Sequence, residues 1–114
     1  MVTYQETSNE VFRALADPTR RAILDLLCKG AQPVNDIARQ FPVSRPAVSR
    51  HLRMLREADL VTGRKEGRQQ VYELNAAPLT AVDDWIRQYR EIWQQRLMRL
   101  KTFSEQLEKP KRKK

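Results

Sequence analysis

The chain has 114 residues, of which 40% are apolar, so it can form one small domain with a modest core that self-association would help to stabilise. Its formal net charge is +8 and its isoelectric point is near 10.2, which favours a polyanionic partner, nucleic acid before an anionic membrane. The single cysteine, Cys28, excludes an internal disulfide and a cysteine-rich zinc site.

Two helices are predicted near the N-terminal end. Helical spacing of apolar residues between positions 11 and 15 predicts a short first helix over about residues 8–16. Asp17 as N-cap, Pro18 in the first turn and Gly30 as a stop signal predict a second helix over about residues 18–29. Its predicted core-facing residues are Ala22, Ile23, Leu26 and Leu27.

A third and a fourth helix follow, separated by a tight turn at Pro42 and Val43. The third helix begins at Pro33 and places apolar residues on one face over two turns. Ser44 is the predicted N-cap of the fourth helix, and Pro46 lies in its first turn, where a missing N–H does no harm. Apolar residues then form an inward stripe: Val48, Leu52 and Leu55.

The segment from Val61 to Leu74 has apolar ends around a polar tip at Glu66 and Gly67, which predicts a β-hairpin. Pro78 opens a long amphipathic helix that ends before Pro110. Its apolar stripe is too long for so short a chain to cover, so we expect another subunit to cover it. Residues 1–107 form one predicted domain, and the basic residues 108–114 a disordered tail.

Two short helices joined by a tight turn, followed by a basic hairpin, predict a helix-turn-helix with a wing. The fold class is therefore mainly helical, with a two-stranded β-hairpin and a long C-terminal helix for dimerisation. The predicted DNA-binding residues on the recognition helix are Ser44, Arg45, Pro46, Ser49, Arg50 and Arg53. On the wing they are Arg64, Lys65 and Arg68.

The segments LADPTRRAILDLL, VSRPAVSRHLRMLREADLV and GRQQVYEL resemble the ArsR-type winged-helix repressors in order and spacing. The resemblance covers about residues 11–74 and implies a homodimer that reads an inverted repeat, usually in its own promoter. It places base readers at Arg45, Pro46, Ser49 and Arg50, and the wing at residues 65–68. The first and last helices would form the dimer, for which we name Phe12, Leu79, Val82, Ile86, Tyr89, Trp93 and Leu97.

Two departures from the family pattern bear on fold and mechanism. Asp59 stands where the family usually has glycine, and aspartate tolerates the left-handed conformation expected there. The third helix lacks the cysteines of metal-sensing members, and the last helix has Asp83 and Asp84 without histidine. We therefore expect no metal or other cofactor and a resemblance to the metal-independent branch.

For several other residues of chemical interest, we expect a structural role. Cys28 is expected in the core, and redox sensing is the alternative role. His51 is expected either to pack against neighbouring residues or to contact a phosphate. Adjacent Asp83 and Asp84 are expected on a solvated face. Trp85 and Trp93 are expected in the dimer core. Arg20 and Arg21 either contact phosphate or pair with nearby aspartates, and are left out of the site.

The sequence thus predicts a cytoplasmic, homodimeric repressor that binds double-stranded DNA and is not an enzyme, because no triad or phosphate loop is present. No secretory signal or membrane-length apolar run occurs in the sequence. Two alternatives remain: a winged-helix module that binds a protein, and a repressor controlled by a small organic ligand. The sequence does not identify an effector.

Overall fold

The computed structural model describes residues 4–108, which contain five helices and a small sheet. The helices are α1 (Tyr4–Leu15), α2 (Pro18–Leu27), α3 (Val34–Arg39), α4 (Arg45–Glu57) and α5 (Thr80–Glu108). The strands are β1 (Gln32–Pro33), β2 (Val61–Glu66) and β3 (Gln69–Leu74), and a 3-10 turn at Ala77–Leu79 precedes α5. This mainly helical architecture with a hairpin wing confirms the predicted fold class. The predicted disordered tail lies outside the described residues apart from Glu108.

The chain divides into two compact units, one ending at Val82 and the other beginning at Asp83. The first unit contains the core, to which α1, α2, α3, α4 and the base of the hairpin all contribute. Its fully buried residues include Val11, Ile23, Ile37, Val48, Leu52, Leu55, Leu60 and Val61. The inward stripe predicted for α4 is confirmed, since all three of its residues have no exposed surface.

Side-chain caps begin both α2 and α4. Asp17 Oδ2 accepts a hydrogen bond from the Arg20 backbone N–H at 3.0 Å, and Ser44 Oγ accepts one from the Ala47 backbone N–H at 3.2 Å. Each bond satisfies one of the donors that a helix N-terminus leaves free. A proline lies in the first turn of each helix, so the predicted starts of both helices are confirmed.

The end of α2 differs from the prediction. The helix stops at Leu27, and Cys28 is an exposed C-cap residue, so its predicted core position is wrong. Cys28 still has helical backbone angles, and its N–H donates to Leu24 O at 3.0 Å, but its place around the helix falls beyond the edge of the buried stripe of α2. Within α2 the buried apolar residues are Ile23, Leu24 and Leu27, whereas Leu26 is half-buried.

The wing belongs to a three-stranded antiparallel sheet of order β1-β3-β2. The predicted hairpin is confirmed, and Gly67 in its turn has φ of 61°, a conformation that favours glycine. The sequence analysis missed β1, which pairs Gln32 with Tyr72 and Pro33 with Val71. This short strand joins the wing to the segment that leads into α3.

A left-handed residue ends α4 and directs the chain into the wing. Asp59 has φ of 60°, its N–H donates to Arg56 O at 3.0 Å, and the Leu60 N–H donates to Leu55 O at 2.9 Å. These two bonds make a Schellman motif, with Leu55 and Leu60 both buried. Asn75 closes the base of the wing, donating from Nδ2 to Asp59 O and from its backbone N–H to Leu60 O, both at 2.8 Å.

Replacing Asp59 by glycine is expected to stabilise the protein by about 0.5–1 kcal/mol, because glycine has no Cβ to strain a left-handed residue. Both Asn75 bonds go to backbone atoms and would survive. Urea unfolding of Asp59→Gly measures the change. Glu57→Gly, at a helical position two residues earlier, is the control and is expected to destabilise by a similar amount. A loss of stability in Asp59→Gly would contradict the prediction.

The second unit contains α5 from Asp83 onward. Asp83 binds Arg90 at 2.9 Å and Arg87 at 3.6 Å, and Asp84 binds Arg87 at 3.1 Å. The hydrogen bond from Arg90 is the main cause that lowers the pKa of Asp83. Both aspartates are exposed, as predicted for a solvated face, and they pair with arginines of their own helix.

A candidate nucleic-acid interface

The outward side of α4 presents a basic surface. At about 100° per residue, its five predicted site residues fall within an arc of roughly 140°. All five are exposed, as is the capping Ser44: Arg45, Pro46, Ser49, Arg50 and Arg53. We call this arc the recognition face. Arg56, which the sequence analysis did not name, is exposed in the last turn of α4 on the same side.

The local sequence explains why this face stays free. Val48, Leu52 and Leu55 hold α4 against the core, which directs the intervening polar residues outward. Three of the five residues on the recognition face are arginines, and none is acidic. Arginine donors match the two acceptors of a guanine edge or a phosphate, while the short Ser49 and Pro46 permit close approach.

The wing carries fewer available charges than the sequence suggested. Lys65 is exposed at the end of β2, and Arg68 is exposed in the turn. Arg64 is also exposed, but its Nε donates to Glu66 at 2.8 Å and its Nη1 to Glu73 at 2.9 Å. The hydrogen bond with Glu66 is the main cause that raises the pKa of Arg64. Arg64 thus connects β2 with β3, and Lys65 and Arg68 remain for a partner.

His51 lies on the side of α4 opposite the recognition face, half-buried beside Asp17 at the start of α2. Its Nδ1 is 3.8 Å from Asp17 Oδ2 and is buried without a hydrogen-bond partner. The pKa of Asp17 is lowered, chiefly by the Arg20 backbone N–H and to a smaller extent by His51. Residues 4–108 contain no group of three histidine, cysteine or acidic side chains placed to hold a metal ion.

Arg20 and Arg21 bind the end of α1. Arg20 is 8% exposed, and it donates from Nε to Ala14 O at 2.7 Å and from Nη2 to Arg13 O at 3.0 Å. Its Nη1 also lies 3.4 Å from Met54 Sδ of α4. Arg21 donates to Leu15 O at 2.6 Å from an exposed position. Neither side chain pairs with an aspartate, and both satisfy carbonyls that the end of a helix leaves free.

A shallow open groove lies between α3 and the start of α4, and the sequence analysis did not identify it. Its lining residues are Asn35, Ala38, Arg39 and Arg45. The first three share one side of α3 through i, i+3 and i+4 spacing, a signal available from the sequence. The groove therefore adds Asn35 and Arg39 to the polar residues beside the recognition face.

The residues predicted for dimerisation fall into two groups. Phe12, Leu79, Val82 and Ile86 are half-buried, and Leu79 and Val82 pack against the core of the first unit. Further along α5, Tyr89, Trp93 and Leu97 are 40%, 52% and 63% exposed. Trp85 lies beside Tyr89, with ring centroids 5.2 Å apart. The apolar surface continues through exposed Leu100, Phe103 and Leu107.

A capped helix with a basic outward face, a preceding short helix and a wing define the winged helix-turn-helix class of DNA-binding domains. The sequence profile described as "Bacterial regulatory protein, arsR family" matches residues 17–62. The chain is 41% identical over 78 residues to the transcriptional repressor SdpR of Bacillus subtilis, covering 68% of this chain and 87% of that protein. It belongs to the ArsR family of regulatory proteins.

Solved structures agree with this assignment. An ArsR family transcriptional regulator with 35% sequence identity superposes with a TM-score of 0.72 over 82% of this chain and 97% of its own. The homodimeric winged helix-turn-helix DNA-binding domain of a Mycobacterium bovis protein has 28% identity and a TM-score of 0.63, covering 76% of this chain and 81% of that one. No helix within residues 4–108 has the length and hydropathy needed to cross a membrane.

Proposed function

We propose that this protein is a transcriptional repressor that binds an inverted-repeat operator as a homodimer, in the cytoplasm and upstream of its own gene. The observation that carries the proposal is the recognition face, three arginines on the exposed side of a capped helix. The relation to SdpR, a named repressor, supports the direction of regulation. Two copies of α4 would read half-sites about one helical turn, or roughly 34 Å, apart.

Each side chain of the recognition face receives a role from its chemistry. Arg45 and Arg50 donate to guanine O6 and N7, Ser49 bonds to a base edge, and Pro46 contacts a thymine methyl group. Ser44 and Arg53 bind phosphate at either end of this segment. On the wing, Lys65 and Arg68 bind the neighbouring backbone, and Arg64 contributes chiefly by holding the two strands together.

The apolar surface of α5 supports the homodimer. Ile86, Trp93, Leu100 and Leu107 recur every seven residues, and Val82, Tyr89 and Phe103 fall on a second row of the same heptad. Arg96 occupies the remaining position of that second row, where a polar residue restricts the register of two paired helices. Continuous apolar surface of this length is unfavourable in water, and a second copy of α5 would cover it.

Replacing Trp93 by glutamate is expected to weaken dimerisation at least 30-fold, since a central aromatic residue contributes about 2 kcal/mol or more to an interface. Sedimentation equilibrium would show the mass falling from twice the 13.4 kDa chain mass toward the monomer. Gln94→Glu introduces the same charge at the next exposed position, outside both heptad rows, and should remain dimeric. Equal behaviour of the two variants would contradict a dimer built on α5.

Replacing Lys65 by alanine is expected to weaken binding to all DNA sequences by the same factor, because a phosphate contact carries no base information. Near 0.1 M salt the factor should be roughly five- to tenfold. Lys101→Ala removes an exposed lysine of α5 and controls for net charge. A loss confined to the operator would show that Lys65 contributes to base recognition instead.

The proposal is tested by fluorescence anisotropy on two duplexes of equal length near physiological salt. One comes from upstream of the protein's own gene and the other is its scrambled version. We expect the upstream duplex to bind about a thousandfold more tightly, within the range of specific readers. Equal, weak binding to both duplexes would contradict an operator at this location.

A further inference from the structure

The groove between α3 and α4 has the chemistry of an anion site. Asn35 and Arg39 flank Ala38 on α3, and Arg45 contributes a second guanidinium from the first residue of α4. Both arginines and Asn35 are exposed, so a ligand can reach all three side chains from solvent. Half-buried Ala38 adds only a methyl group to the lining, which leaves room for a ligand between the longer side chains.

The position of the groove identifies the ligand. Arg45 belongs both to the groove and to the recognition face, so the two surfaces are continuous. When a recognition helix enters the major groove, the preceding helix of the motif crosses the DNA backbone beside it. A backbone phosphate is therefore the anion that reaches these residues in the bound state, and arginine matches its oxygens with paired donors.

Asp36 already occupies one of the donors. Arg39 Nη2 donates to Asp36 Oδ1 one turn earlier on α3, with the two side chains 74% and 45% exposed. Ion pairs this exposed contribute at most about 1 kcal/mol, so a phosphate can displace the carboxylate. A phosphate that reaches Arg39 would have to displace the Asp36 carboxylate.

We propose that Asn35 and Arg39 bind an operator backbone phosphate beside the base-reading Arg45, and that Asp36 holds Arg39 until DNA displaces it. This inference rests on the proposed function for the geometry of the DNA. It adds to that function a carboxylate, Asp36, that sets affinity independently of sequence.

The test measures affinity against salt, from 50 to 200 mM, on the upstream and scrambled duplexes. Arg39→Ala should weaken binding to both duplexes roughly five- to tenfold near 0.1 M salt and reduce the slope of log K against log salt by about 0.9. Asp36→Asn should strengthen binding up to about fivefold on both. The gain from Asp36→Asn should vanish when it is combined with Arg39→Ala, because the arginine that Asp36 holds is then absent.

Matched controls come from α5, where Arg87 and Asp84 form an exposed pair with the same i, i+3 spacing. Arg87→Ala and Asp84→Asn make the same charge changes away from α3 and α4. The proposal is overturned if Arg39→Ala resembles Arg87→Ala in affinity and slope, or if Asp36→Asn tightens binding no more than Asp84→Asn. Thermal unfolding of each variant checks that the fold is intact.

Failure of this inference can be told apart from failure of the proposed function. If the upstream duplex is preferred but Arg39→Ala leaves the slope unchanged, the phosphate site is wrong and the repressor proposal stands. If neither duplex is preferred, the operator proposal fails. The slope on the scrambled duplex still decides the phosphate site, because backbone binding does not need the correct sequence.

Discussion

Replacing Arg20 by methionine is expected to lower the free energy of unfolding by about 2–4 kcal/mol. The guanidinium is buried where α1, α2 and α4 meet, and it satisfies two carbonyls at the end of α1 while contacting Met54. Methionine keeps much of the apolar volume but offers no donor, so the Ala14 carbonyl loses the Arg20 hydrogen bond, while the Arg13 carbonyl keeps the Ala16 backbone N–H at 3.2 Å. A buried acceptor without a partner costs about 1–3 kcal/mol.

Arg21→Met is the matched control for Arg20→Met. Arg21 also donates to a carbonyl at the end of α1, but it is exposed and water can replace it. We expect its change to stay below about 1 kcal/mol. Urea unfolding at one protein concentration gives both values, since a dimer's apparent stability depends on concentration. Equal effects of the two substitutions would mean that burial of Arg20 has no energetic consequence.

Replacing Arg50 by alanine is expected to reduce affinity for the operator by about 1–3 kcal/mol and to relax the base preference at one position of each half-site. Arg50 is exposed on the recognition face and has two parallel donors that fit guanine O6 and N7. Anisotropy titrations with single-base variants of the operator would locate that position. It is the base pair whose substitution weakens binding of the original protein but leaves the affinity of the Arg50→Ala variant unchanged.

Arg50→Lys separates base reading from charge. Lysine keeps the positive charge but lacks the paired donors, so affinity for the scrambled duplex should be retained while the operator preference falls. If Arg50→Ala lowers affinity for both duplexes equally, Arg50 is a phosphate contact. The assignment of base reading would then move to Arg45.

Local signals predicted the helices that carry the site. Asp17 and Ser44 cap their helices within four residues of themselves, so the sequence contains both the donor and the acceptor. The spacing of apolar residues placed the recognition face on the exposed side of α4 for the same reason. The left-handed residue at Asp59 was also expected, since it depends on a single position.

Features that depend on distant partners were not predictable in the same way. Strand β1 has only two residues, and its pairing with β3 spans nearly forty positions of sequence. Arg20 stands three, four and seven residues before the buried Ile23, Leu24 and Leu27, so helical spacing places Arg20 and not Arg21 on the buried side. The α1 carbonyls that Arg20 binds depend on the packing of α1 on α2 and could not be read from that spacing. The DNA contact predicted for Arg64 took no account of Glu73, because that carboxylate, nine positions away on β3, becomes a neighbour only when the hairpin forms.

The closed base of the wing has a consequence for how the protein can be altered. Asn75 joins the end of the hairpin to Asp59 and Leu60 at its start, so both ends are fixed to the helical body. Adding two residues to each strand would lengthen the hairpin by about 7 Å while keeping every side chain on its original face. Insertion at the tip can therefore change how far the wing reaches along a duplex without changing the position of α4, the helix proposed to read the bases.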